Sequence, residues 1–132
     1  MSLPAIHVCA LLQQGDEFLM LRRRSHWSLP DGSVNLGETL AEAVARVLEE
    51  QVGLSDAICG PFIGWSETVE AEVHGPHILR MYFQAVILDQ AAVPASEIAE
   101  VSWIPSWDAA ELGLTDGLAE FLSDHGLIET MV

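Results

Sequence analysis

The chain has 132 residues, half of them hydrophobic and 19% charged, which fits one folded domain with a buried core and excludes a disordered segment. Its net charge of −15 argues against nucleic acid or an anionic membrane as a partner, because either would bring like charges together. No apolar run approaches the roughly 18–20 residues of a membrane-spanning helix.

A small phosphorylated ligand is still compatible with this charge if a divalent cation screens the site. The chain has no Lys, and its five cations are Arg22, Arg23, Arg24, Arg46 and Arg80. Cys9 and Cys59 sit in apolar, strand-like runs and read as reduced thiols of a cytoplasmic protein. The N-terminal run, MSLPAIHVCALLQQ, lacks a basic flank and reads as a strand rather than a signal peptide.

In chain order, Ala5 to Leu12 is rich in β-formers, and Gln13 to Glu17, with Gly15 and Asp16, is a turn. Glu17 to Arg24 completes a hairpin. Trp27 to Asp31 is a short extended piece, since Pro30 keeps Leu29 out of helical space. A loop with Gly32 and Gly37 then runs to Glu38. Thr39 and Glu42 form a capping box that starts a helix, Leu40, Ala43, Val44, Val47 and Leu48 make its apolar stripe, and Gly53 stops it.

Ala57 to Glu70 and Ile78 to Leu88 are strands separated by a turn at His74 to His77, and the second is apolar enough for a central strand. Gln90 to Ser96 reads as a loop and Ile98 to Ile104 as a strand. Asp108 to Leu112 and Asp116 to Asp124 are helical, the latter capped by Thr115. Strands and helices do not alternate regularly, so the fold class is α+β: a mixed β-sheet flanked by helices, an αβα sandwich, in one domain over residues 1–132.

At about 100° per residue, Glu50, Val47 and Gln51 share one side of the central helix, and Glu49 lies away from its centre. Carboxylates at all three positions would converge on a cation, but only Glu50 carries one.

Residues 32–54 resemble the Nudix box, G-x5-E-x7-R-E-U-x-E-E-x-G-U with U apolar. Gly32, Glu38, Arg46, Leu48, Glu50, Gly53 and Leu54 match their places. WSLPDG is similar to the usual W-x-L-P-G-G lead-in, with Asp31 in place of Gly, and SEIAEVSWIP is similar to the family's late strand. The resemblance covers essentially the whole chain and implies a MutT-like, Mg²⁺- or Mn²⁺-dependent hydrolase of a nucleoside diphosphate linked to another moiety.

Two box carboxylates are replaced, by Val47 and Gln51, so the resemblance implies an attenuated enzyme with a weakly held metal. Glu50 and Glu97 would hold that metal, with Glu100 in reserve and a loop carbonyl near Asp31 or Gly32 adding a ligand. Arg46 would orient Glu50, and Glu38 would brace the loop–helix junction together with Gly32, Gly37 and Gly53. Arg23 or Arg24 would grip a phosphate, and Arg80, in an apolar strand, would face a cleft or a buried acid. The partner would be a phosphorylated, nucleotide-derived small molecule, and a homodimer is compatible with the apolar fraction. The other reading is a non-catalytic Nudix-fold module that binds a nucleotide or a partner.

Overall fold

The computed structural model describes residues 4–69, 77–87, 95, 98–109, 111–114 and 118–125. Among them, strands β1 (Ala5–Gln14), β2 (Glu17–Arg23), β3 (His26–Ser28) and β4 (Asp31–Ser33) precede helix α1 (Leu40–Val52). Then come β5 (Ile58–Val69), β6 (His77–Val86), β7 (Glu100–Pro105), α2 (Ser106–Ala109) and α3 (Leu118–Asp124).

β1 organises the sheet. It runs parallel to β6 and antiparallel to β4, and its last two residues, Gln13 and Gln14, pair with β2 across the turn at Gly15. β2 in turn lies between β3 and β7, and β6 lies between β1 and β5. The apolar run from Ile78 is therefore a central strand, as its composition requires.

Side chains alternate across β1. Val8, Ala10 and Leu12 join the core beneath α1, with Val44, Val47 and Leu48. Cys9 and Leu11 join the opposite core, with Tyr82, Leu118, Phe121 and Leu122 beneath α3. Helices thus cover both faces of a mixed sheet, the α+β sandwich expected.

α1 has the predicted ends. Thr39 Oγ1 accepts from Glu42 N–H, and the Glu42 carboxylate accepts from Thr39 N–H, each at 3.1 Å. Gly53 takes a left-handed conformation at φ +68°, and the N–H groups of Gly53 and Leu54 close onto the Glu49 and Leu48 carbonyls.

Several boundaries move. The extended piece before the box is two short strands, because β4 turns away from β3 to pair with β1, so Gly32 lies in a strand rather than a loop. The hairpin turn tightens to Gly15 and Asp16: β1 runs on to Gln14 instead of ending at Leu12, and β2 ends at Arg23 rather than Arg24. His77 begins β6 instead of ending a turn; its Nε2 lies 2.6 Å from Glu67 on β5. β7 starts at Glu100 rather than Ile98, and α2 spans only Ser106–Ala109. The turn at 74–76, most of the loop at 90–96, and Thr115 with the start of the last predicted helix lie outside the described residues. No helix among the described residues is long and apolar enough to cross a membrane.

Candidate active site

The box places its side chains through three local features. The cap at Thr39 fixes the helix phase, β4 ties the preceding chain to β1, and α1 presents successive turns to that strand. Arg46 is the hub of the outer part. Its guanidinium donates to both oxygens of Glu38 at 2.8 and 3.1 Å, to Glu50 Oε2 at 3.1 Å and to the Ser33 carbonyl at 2.6 Å. Glu38 also accepts from Asn35 N–H, and these bonds, Arg46 first, hold its carboxyl below the ordinary 4.5. Glu50 is the exposed end of the network: its side chain is 61% exposed, against 14% for Glu38.

The inner part departs from a metal face. Val47 is buried in the core, and its Cγ2 lies only 2.9 Å from where a Cβ on Gly32 would stand. Glycine at 32 is what lets β4 approach the helix this closely. Gln51 Nε2 donates to the Asp31 carbonyl at 2.5 Å, and its Oε1 is buried with no hydrogen-bond partner among the described residues.

Beyond β4, the Asp31 carboxylate gathers two guanidinium groups and an imidazole from three strands. Arg23 Nη1 lies 3.3 Å from one oxygen; Arg80 Nε at 3.8 Å and His7 Nδ1 at 3.9 Å face the other. Arg80 also donates to Thr68 Oγ1 at 2.9 Å. Arg80 and Asp31 line a narrow crevice with Cys9, Ser28, Leu29, Tyr82 and Leu118. Cys9 and Tyr82 are buried, and burial pushes the Tyr82 hydroxyl up to about 12 and, with Asp31 nearby, the Cys9 thiol well above 9.0. Both stay protonated at neutral pH. Tyr82 shares a hydrogen bond with Ser66 and stacks on Phe121 at 3.7 Å between ring centroids.

The structure thus brings Glu38, Arg46 and Glu50 together on one side of β4, and Arg23 and Arg80 on the other. Arg24 joins neither group. It takes a left-handed backbone at φ +57°, is exposed, and its carbonyl accepts from Arg22. Glu97 lies outside the described residues; Glu100 is exposed and pairs with Arg22 at 3.5 Å. The Asp31 side chain, which the lead-in pattern marks only as a replacement for Gly, is the centre of the second group. The sequence marks it only by an acid in place of Gly; the groups that surround it come from three other strands.

The residues present do not fit a metal centre built by the protein alone. Of the three box positions 47, 50 and 51 only Glu50 carries a carboxylate, already paired with Arg46, and an amide nitrogen occupies the Asp31 carbonyl. Among the described residues, no three His, Cys, Asp or Glu side chains are grouped to hold a metal ion.

The comparisons with known proteins agree with this architecture. The family model for the NUDIX domain matches residues 1–125. MutT4 of Mycobacterium tuberculosis is 31% identical over 103 residues, 74% of this chain and 38% of that protein. The human 8-oxo-dGDP phosphatase NUDT18 is 29% identical over 107 residues, 74% of this chain and 31% of that one. The chain therefore spans about a third of the length of these relatives. The crystal structure of a MutT protein from Methanosarcina mazei superposes with a TM-score of 0.82 at 26% identity, covering 96% of both chains. With the box helix capped and stopped where its spacing requires and the match extending over nearly the whole sequence, this chain belongs to the Nudix family.

Proposed function

We propose that the chain is an attenuated Nudix-type hydrolase of a nucleoside diphosphate linked to another moiety. The observation that carries this reading is the Arg46 network. It holds Glu50, the one carboxylate left at the three box positions and an exposed one, beside the Glu38 junction. Nudix hydrolases generally use divalent metals. Because the described residues do not build a metal centre, Mg²⁺ or Mn²⁺ would arrive on the substrate phosphates, with Glu50 as its protein ligand. Arg23 and Arg80 are assigned to substrate, Arg23 because its side chain is 37% exposed beside Asp31 and Arg80 because it lines the crevice. Attenuation follows from Val47 and Gln51: loss of a general base alone lowers a rate by about 10²–10⁴.

A second reading, a non-catalytic nucleotide- or partner-binding domain, is favoured by one observation, the Gln51 amide on the Asp31 carbonyl. Turnover separates the two. Nucleoside di- and triphosphates, 8-oxo-dGDP, ADP-ribose and dinucleoside polyphosphates are assayed with Mg²⁺ and with Mn²⁺, beside Glu50→Gln. The hydrolase reading expects slow turnover of a diphosphate-linked substrate that vanishes in Glu50→Gln. Turnover unaffected by that change defeats it. Silence toward every substrate, with activity appearing in a Val47→Glu, Gln51→Glu double variant, supports the non-catalytic reading, a decayed site on an intact scaffold.

A further inference from the structure

A divalent cation at the junction of helix and loop would do two jobs. It would carry charge, and it would tie a helix side-chain oxygen to a loop carbonyl through shared coordination. In this chain the second job is done without an ion. Gln51 Nε2, on the last full turn of α1, donates directly to the carbonyl of Asp31 at the start of β4. The amide orientation follows from the chemistry: turned over, Oε1 would face the carbonyl oxygen, two acceptors with no proton between them. The Nε2 group also lies 3.7 Å from where a Gly32 Cβ would stand, so it is seated against the strand beside Val47. A Mg²⁺ ion bonded to that carbonyl lone pair, at about 2.0–2.1 Å, would have to displace it.

The rest of the residue's surroundings point the same way. Oε1 is buried and unpartnered among the described residues, a cost that an exposed or freely turning amide would avoid. The Gln51 backbone is fixed as well, since its carbonyl accepts from Ala95 N–H at 2.9 Å. And the carbonyl that Gln51 holds belongs to the residue whose carboxylate gathers Arg23, Arg80 and His7.

We infer that Gln51 is a built-in replacement for a cation: its amide locks α1 to β4, so that Asp31 and the Gly32 approach keep their geometry with no metal bound. This holds whether or not the domain turns substrate over, and its test reads stability rather than activity.

Thermal unfolding of the full chain is compared in EDTA and in Mn²⁺ or Mg²⁺ at matched ionic strength, so that general screening of this acidic protein is common to all samples. The wild-type protein is expected to melt at the same temperature in both. Gln51→Glu loses the donor and sets a carboxylate against the carbonyl; it is expected to melt lower in EDTA by roughly 5 °C and to recover part of that loss with the cation. Gln51→Met removes the donor without offering a ligand and is expected to melt lower in both. A wild-type melting point that rises with the cation as much as that of Gln51→Glu overturns the inference, as does a Gln51→Glu protein indifferent to cation. Should Gln51→Glu fail to fold, the wild-type protein decides: its Gln51 side-chain amide protons are expected to exchange slowly and keep their NMR shifts as Mg²⁺ is added. A saturable shift, or rapid exchange, overturns it.

Discussion

Arg46 shows how one side chain sets the geometry of a site. A planar fork with five donors reaches Glu38, Glu50 and the Ser33 carbonyl at once, which a lysine's compact ammonium does not do. Arg46→Lys is therefore expected to lower stability by about 1 kcal/mol in urea unfolding and to cut whatever turnover the domain has more than it weakens substrate binding. Glu38 makes the same network pH-dependent. Its folded carboxyl titrates below 4.5, the ordinary value, so the unfolded chain binds the proton first. The stabilisation is complete above pH 4.5 and is lost as pH falls through the lower folded value. Urea midpoints of wild type and Glu38→Gln should differ most near neutral pH and converge in acid; a gap that widens in acid would contradict the assignment. Both residues were legible in the sequence, because the box spacing puts Arg46 one turn before Glu50 and eight residues after Glu38. Asp31 was not, since its neighbours His7, Arg23 and Arg80 come from β1, β2 and β6 and no local spacing encodes them.

At the scale of elements, α1 was the most legible part, because caps and stripes are local. The capping box and the left-handed Gly53 both appear where composition put them, and Thr39→Ala or Gly53→Ala should each cost about 1 kcal/mol. The split of the preceding segment into β3 and β4 was not legible. It depends on β3 pairing with β2 while β4 pairs with β1, and three-residue strands carry no pattern that specifies either partner or its register. The contact between β4 and α1 is similarly tertiary. Gly32 and Val47 are 15 positions apart, and a Cβ at 32 would press on a β-branched side chain that has little freedom to turn aside. Gly32→Ala should destabilise by about 1–3 kcal/mol through overpacking, and Val47→Ala by a comparable amount through a cavity. Together they should cost at least about 0.5 kcal/mol less than their sum, because each relieves the other. Simple additivity in a double-mutant cycle would show that the two do not meet.

For the whole molecule, the question is which of two electrostatic effects wins when salt is added. Local ion pairs favour the folded state and are weakened by screening. Those among the described residues are partly exposed, and pairs of that kind contribute roughly 0–1 kcal/mol each. Against them stands a net charge of −15. By chain-length scaling, folding compresses that charge from a radius of about 37 Å to about 14 Å, so like charges repel far more in the folded state. The Debye length at 0.1 M salt, about 10 Å, is shorter than the folded radius, so screening reaches repulsions across the molecule as well as the pairs. Net repulsion scales with the square of the charge while the pairs are few, and repulsion should dominate. The melting temperature is therefore expected to rise as NaCl goes from about 0.02 to about 0.3 M. It should rise less in variants that replace exposed acids remote from the site, such as Glu17→Gln combined with Glu111→Gln, because they start with less repulsion to relieve. A melting temperature that falls with salt would mean that the Arg46 and Asp31 clusters, few as they are, outweigh the charge of the whole chain.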